Sequence, residues 1–155
     1  LLKDAGYDEN NPFTFELVTN TGNDTRINAA QILQYQLEKA GVKMSIKVME
    51  WQAFLNTVVH PKKFQAVLLG WSLALMPDAF PLWHSSSSKL GGFNLVSYEN
   101  EKVDKLIEQG STTINRDELG NIYKEIFKII TDDLPYLFLY IPDAITVINK
   151  DIKNV

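Results

Sequence analysis

Cysteine is absent from the 155 residues, which excludes thiol nucleophiles, zinc–thiolate sites, iron–sulfur clusters and disulfide frameworks, and leaves the redox compartment open. Histidine is scarce, with only His60 and His84 on different segments. That is too little imidazole for a histidine-built metal site, and no cofactor is expected. Basic residues are neither in excess nor clustered: fifteen Lys and Arg against nineteen Asp and Glu give a net charge of −4. A phosphate backbone needs a concentrated basic face, so no nucleic-acid partner is expected. No apolar run approaches the ~20 residues that span a bilayer, and no internal repeat is visible. The remaining balance, 45% hydrophobic and 22% charged, is that of one globular domain able to bury its own core.

Hydrophobic periodicity then assigns an α/β class. Phe13, Phe15 and Leu17 alternate with Thr14 and Glu16, the period-2 pattern of a half-buried strand over Phe13 to Thr19. Asn20, Gly22, Asn23 and Asp24 supply a turn and a helix N-cap. Ile27, Ala30, Leu33 and Leu37 recur at helical spacing up to a Gly41 stop. Met44, Ile46 and Val48 alternate with Lys43, Ser45 and Lys47, completing a βαβ unit whose two strands should pair in parallel. A short helix is predicted over Trp51 to Val59, and a strand buried on both faces over Ala66 to Leu69. Gly70 to Gly92 reads as loop, with two prolines, four consecutive serines and the Gly91-Gly92 pair. Helices are predicted over Glu101 to Gln109, capped by Asn100, and over Arg116 to Thr131, with a capping box from Asn115 and Glu118. Pro135 ends the second. Tyr136 to Tyr140 and Ala144 to Ile148 read as strands, giving about five strands and five helices. The opening Leu1-Leu2-Lys3-Asp4-Ala5-Gly6 predicts the glycine-closed end of a helix begun upstream, and so a fragment of a longer chain.

Loops at the end of a buried strand are where α/β proteins place binding groups, so the chemistry is sought after Leu69. Gly70-Trp71-Ser72-Leu73-Ala74 resembles a nucleophile elbow with alanine in the final place, which raises a serine hydrolase using Ser72. The later acid and histidine such an enzyme requires are poorly supplied, because His84 is the only histidine beyond it. Pro77 would also break the helix that should spring from the elbow. A loop serine is therefore the expectation. His60 reads as a helix-end residue and His84 as a structural hydrogen-bonding group. Trp51, Trp71 and Trp83 fall at element edges, where an indole packs an edge or lines a cleft. Asp78 reads as a helix cap or as an anion for a ligand amine.

Several segments in order resemble the family 5 extracellular solute-binding proteins of bacterial ABC importers. They are Leu1 to Tyr7, the strand Phe13 to Thr19, Leu37-Glu38-Lys39-Ala40-Gly41-Val42, Glu50-Trp51 with Phe54, Phe64-Gln65-Ala66, and Gly70-Trp71-Ser72. Pro77-Asp78, Trp83-His84-Ser85, Asn94, Tyr98-Glu99-Asn100, Val103-Asp104, Arg116, Tyr123, Ile126 and Asp133-Leu134-Pro135 continue the series. The resemblance implies a single domain over residues 1–155, the carboxyl-side lobe of a two-lobed protein with a type II periplasmic-binding-protein fold, a mixed sheet with flanking helices. It implies binding and not catalysis: short peptides, or alternatively oligosaccharides or other small solutes, held in an interlobe cleft and passed to ABC permease subunits. A periplasmic or cell-surface location follows, with membrane association only through the permease or an upstream lipid anchor.

Trp71, the Ser72, Leu73 and Ala74 that follow it, Asp78 and Asn94 are the ligand-binding residues so implied. The family's peptide binders often carry an aspartate three residues after the tryptophan, where Ala74 stands, and a subgroup's acid before Pro-Asp is replaced by Met76. A buried ammonium without a fixed charge is costly. Either Asp78 or the other lobe supplies the carboxylate, or the ligand is neutral.

Overall fold

The computed structural model describes residues 1–72, 78–89, 91–143 and 149. Leu1 to Tyr7 close a helical turn by a six-to-one bond, Tyr7 N–H to Leu2 carbonyl, and a five-to-two bond, Gly6 N–H to Lys3 carbonyl. Gly6 takes the positive φ of 84° this closure requires. Three parallel strands follow in the order β2-β1-β3: β1 Phe13–Asn20, β2 Val42–Met49 and β3 Ala66–Val67. Helix α1, Asp24–Lys39, crosses between the first two and is capped by the Asn23 side chain on Arg26 N–H.

Strand β1 departs from the half-buried alternation expected of it, since Leu17, Val18, Thr19 and Asn20 are all buried. The reason is its central place. Leu17 packs with Ala30 and Met44 beneath α1, while Val18 packs with Phe54, Val58 and Val59 on the opposite face. Strand β2 lies at the edge and keeps the predicted alternation as far as Lys47, with Lys43, Ser45 and Lys47 exposed, while Val48, expected on the dry face, is exposed as well at the sheet edge. Helix α2, Trp51–Phe54, starts under the Glu50 cap and widens into a π-helical turn over Leu55–Val59, where His60 N–H reaches the Leu55 carbonyl. Ladder pairing in β3 is shorter than the expected strand. It is extended by Leu68 N–H on the Val18 carbonyl and by the Thr19 hydroxyl on the Leu68 carbonyl.

A second core is mainly helical. It joins α3, Phe80–Trp83, to α4, Glu101–Thr112, and α5, Arg116–Asp133, through Trp83, Val103, Ile107, Ile122, Ile126 and Ile130. Asn100 and Asn115 cap α4 and α5 as the sequence predicts. Between the two cores runs the loop from His84 to Tyr98. It inserts Leu95 into the sheet-side core and is tied down by Lys62, whose ammonium donates to the Ser88 carbonyl (2.6 Å), the Asn94 carbonyl (2.7 Å) and the Ser97 hydroxyl (2.9 Å). Lys62 and Ser97 both occupy left-handed backbone (φ 56° and 54°), a conformation held only where surrounding contacts enforce it.

The segment 136–140, read from its aromatic and branched residues as a strand, pairs with no strand among the described residues. Such residues suit a pleated surface, but a strand also requires a partner's N–H and C=O groups. Leu137 to Ile141 are exposed. The companion strand expected over Ala144 to Ile148 lies outside the described residues. The described sheet is therefore wholly parallel and three-stranded, in an α/β lobe covered by helices.

Where α4 begins and α5 ends, the Asp133 carboxylate accepts from the Tyr98 hydroxyl (2.5 Å) and the Asn100 amide (2.9 Å). These bonds, Tyr98 first, hold the Asp133 carboxyl below its ordinary range, while burial and the facing carboxylate push the Tyr98 phenol up. A carboxyl depressed in the folded state stabilises it above the unfolded pKa and loses that contribution as pH falls through the folded value. In Tyr98→Phe the Asp133 midpoint, followed by carboxyl-carbon NMR, should rise toward the ordinary value. An unchanged midpoint would refute the assignment.

Candidate functional site

The carboxyl ends of β1 and β3 lie side by side, the position where open α/β sheets hold ligands. Strand β1 ends at Asn20, which is buried and orients its amide by donating Nδ2 to the Thr21 carbonyl (2.6 Å). Its Oδ1 accepts from Arg26 Nη1 at 2.7 Å. Beyond β3 the chain runs through Gly70 to Trp71, and an added Cβ on Gly70 would stand 3.2 Å from Arg26 Nη2. The guanidinium thus bridges both strand ends.

Trp71 is 40% exposed and meets Phe93, 53% exposed, edge to face with centroids 5.8 Å apart. This two-ring corner rests on buried aromatics. Tyr136 lies behind it, its hydroxyl close to the Trp71 indole and the Leu95 backbone but in good hydrogen-bonding geometry with neither. Burial pushes the Tyr136 phenol up, with Trp71 and Leu95 pulling the other way. Tyr136 in turn packs on Trp83 (4.7 Å), which also meets Tyr98 edge to face. Trp83 is a core residue, whereas Trp51 lies at the edge of the lobe, half-exposed against Phe54.

The sequence-derived residues divide. Trp71 and Ser72 are exposed at the strand end, and Leu73 and Ala74 lie outside the described residues. Asp78 is exposed, and its Oδ1 accepts from Phe80 N–H (3.0 Å) one residue ahead of the α3 N-cap, which is Ala79. Asn94 is fully buried: its amide donates to the His84 and Tyr98 carbonyls and accepts from Tyr98 N–H. Its side chain therefore builds the loop that carries Phe93, and any contact with a ligand would have to come through the backbone. Arg26, Asn20 and Phe93 join the cluster without having been singled out in the sequence. The one available signal was a cation in the first turn of a helix, against the helix dipole, directly after a strand.

His84 is buried and stacks on Phe80 (4.2 Å). Its Nδ1 accepts from Ser86 N–H (3.1 Å) and faces the Ser86 hydroxyl, while Nε2 lies 3.5 Å from a Glu108 carboxylate oxygen. Both ring nitrogens are thus turned to the serine run and α4, and not to Ser72. Among the described residues no group of three or more His, Asp or Glu is disposed to hold a metal ion. No described helix is long and apolar enough to cross a membrane. Among the described residues, concavities of about 500 and 400 Å³ lie on the outer face of α5 and across β1 and β2.

Residues 1–93 match the family model described as bacterial extracellular solute-binding proteins, family 5 middle. The chain is 34% identical over 154 residues to the oligopeptide-binding protein AppA of Bacillus subtilis, covering 92% of this chain and 28% of that protein. It is 28% identical to the nickel-binding protein NikA of Staphylococcus aureus, covering 99% of this chain and 31% of the relative. Among solved structures, AppA from Bacillus subtilis in complex with a nonapeptide superposes with a TM-score of 0.79 at 37% identity, over 84% of this chain and 26% of that one. DppA from Helicobacter pylori in complex with the peptide STSA gives 0.75 at 26% identity, over 88% and 26%. The chain therefore spans less than a third of the length of these proteins.

Proposed function

Because the chain belongs to the family 5 bacterial extracellular solute-binding proteins, we propose that it forms the carboxyl-side lobe of the substrate-binding component of an ABC importer. In this reading the protein works outside the cytoplasmic membrane, in the periplasm or at the cell surface. It captures short peptides between this lobe and a second one and delivers them to the permease. The observation that carries it is the exposed Trp71–Phe93 corner at the carboxyl end of a parallel sheet, in a chain that superposes on a nonapeptide complex.

Two exposed aromatic rings suit this role. Half a cleft offers flat rings for a peptide's side chains and backbone, and full burial of the ligand requires closure by the facing lobe. Trp71 and Ser72 are assigned to the ligand side, Leu73 and Ala74 are assigned to the ligand by the family resemblance alone, Asp78 accepts from Phe80 N–H ahead of α3, and Asn94 shapes the loop behind Phe93. No covalent step is assigned, since both His84 nitrogens are turned away from Ser72.

The test is calorimetric titration and thermal shift of the intact protein with mixed short peptides and with neutral oligosaccharides. Peptides should raise the melting temperature by mass action. Trp71→Ala should weaken peptide binding about tenfold, the loss of one aromatic contact with its buried area. A response to oligosaccharides alone would overturn the peptide reading.

A further inference from the structure

The two rings of the strand-end corner come from different connections: Trp71 follows β3, and Phe93 sits in the loop from His84 to Tyr98. Lys62 joins those connections. It stands where the chain leaves the π-helical turn, in a closure that bonds Lys63 N–H to the Val58 carbonyl (2.8 Å) and Lys62 N–H to the Val59 carbonyl (3.0 Å). Such a six-to-one and five-to-two pair sets residue 62 in the left-handed region, the place that glycine ordinarily fills. Lysine occupies it instead, at φ 56°. What glycine could not supply there is the ammonium.

All three donors of that ammonium are used, on the Ser88 carbonyl (2.6 Å), the Asn94 carbonyl (2.7 Å) and the Ser97 hydroxyl (2.9 Å). Lys62 takes no part in the ion pairs of the described residues. Its charge serves neutral oxygens of one loop, in bonds roughly twice as strong as those between neutral groups. Ser97, the other left-handed residue of the pair (φ 54°), also gives its N–H to the Asn94 carbonyl (3.3 Å). Two strained residues therefore converge on the peptide group that directly follows Phe93. On the near side of the ring, Gly92 N–H bonds the Lys89 carbonyl (2.8 Å). Phe93 is more than half exposed, so its place is set by this backbone and not by a core around it. Strained backbone at both ends of one contact is the kind of feature that clusters at functional sites.

We propose that Lys62 is a positioning residue for ligand capture: its ammonium holds Phe93 against Trp71, so that the corner is formed before the ligand arrives. This rests on the ligand site assigned above and names the group that preorganises it. A ligand that meets ordered rings does not have to order them, and the difference enters the dissociation constant directly. Lys62 touches no ligand in this arrangement and acts through Phe93 alone.

The experiment is a double-mutant cycle in the intact protein, Lys62→Met with Phe93→Ala, read by dissociation constants for the peptides Ala-Phe-Ala and Ala-Phe-Ala-Phe-Ala. With Phe93 present, Lys62→Met should weaken binding about three- to tenfold, the range for ordering a side chain or loop on binding. In the Phe93→Ala background the same change should cost less than about twofold, as expected once the residue it acts through is gone. Lys62→Gly separates position from stability. It relieves the left-handed backbone and should melt above Lys62→Met, yet lose affinity equally. Lys62→Arg should restore part of the affinity, since a planar fork replaces the three-way donor set. In the free protein, the Trp71 indole proton signals, identified by their loss in Trp71→Phe, should move in Lys62→Met in the direction they move in Phe93→Ala, because both changes remove the Phe93 ring from the indole.

Equal losses of affinity with and without Phe93, or affinities that follow melting temperature across the Lys62 variants, would overturn the proposal and leave the peptide reading standing. Should neither peptide bind, the peptide reading is what fails. The Trp71 indole signals then decide the role of Lys62: their movement with Phe93→Ala and Lys62→Met alike upholds it, and signals unmoved by Lys62→Met refute it.

Discussion

Replacing Phe54 by alanine is expected to destabilise the fold by about 3–5 kcal/mol, the range for deleting a large aromatic side chain from a core. The ring is wholly buried and packs with Val18 of the central strand, Val58 and Val59 of the π-helical turn, and Leu95 of the loop that reaches across from the helical core. Those partners come from separate elements, each fixed by its own hydrogen bonds, so the vacated space cannot collapse without breaking one of them. Leu95 is the buried residue that the His84–Tyr98 loop contributes to this cluster, and its loss of contact would loosen the wall that carries Phe93. Urea unfolding of the intact protein and of Phe54→Ala, with Phe54→Leu as the milder change, measures the effect. A loss below about 1 kcal/mol for the alanine variant would mean that the site refills by rearrangement and that the packing described is not what holds β1 to the loop.

Gly92→Ala should be nearly as damaging, by about 3 kcal/mol, at the upper end of what overpacking costs. The reason is close approach. An added Cβ would lie 2.0 Å from the Ser87 carbonyl oxygen, 2.8 Å from its carbon and 3.1 Å from the Lys89 oxygen. These are backbone atoms in a turn where Gly92 N–H bonds the Lys89 carbonyl and Asn94 N–H bonds the Ser87 carbonyl. Relief therefore requires the serine turn to open. Phe93 lies between two of those residues and would move with them, taking away the ring against which Trp71 stands. A lowered melting temperature together with a changed Trp71 fluorescence contribution, isolated by difference from Trp71→Phe, is the expected result. Melting at the wild-type temperature would mean that the turn does not approach Gly92 as described.

Much of the lobe could be read in advance because its signals are local. The Asn23, Asn100 and Asn115 caps, the Gly6 closure and the alternation of β2 as far as Lys47 depend on residues within one or two turns of each other, and each is present. Where the expected pattern failed, long-range pairing had decided. The second half of strand β1 is buried on both faces because β2 and β3 flank it and helices cover each side. Residues 136–140 have strand composition yet pair with no strand among the described residues, since side-chain preference says nothing of where a partner's backbone lies.

The candidate site divided along the same line. Trp71 was legible because a glycine–aromatic pair after a buried strand is a contiguous signal. Asn94 was legible as a residue of interest, yet its role turned on burial: an amide wholly enclosed by the His84 and Tyr98 backbone shapes a loop. Lys62 offered no signal, because the three acceptors of its ammonium are spread over the loop from Ser88 to Ser97.

By itself the sequence determined the α/β class, the positions and caps of the long helices α1, α4 and α5, the parallel βαβ start and the resemblance that placed the chain among solute-binding proteins. All of these follow from short-range periodicity, backbone preferences and contiguous motifs. The short α3 and the Ser85–Ser88 turn fell in a segment read as loop. Only the tertiary structure decided which side chains share the ends of β1 and β3. Arg26, Asn20 and Gly70 come from different elements, and Trp71 and Phe93 from opposite ends of a long connection. They meet because parallel pairing aligns the strands' carboxyl ends while two cores, joined through Leu95 and Lys62, fix the loop above them.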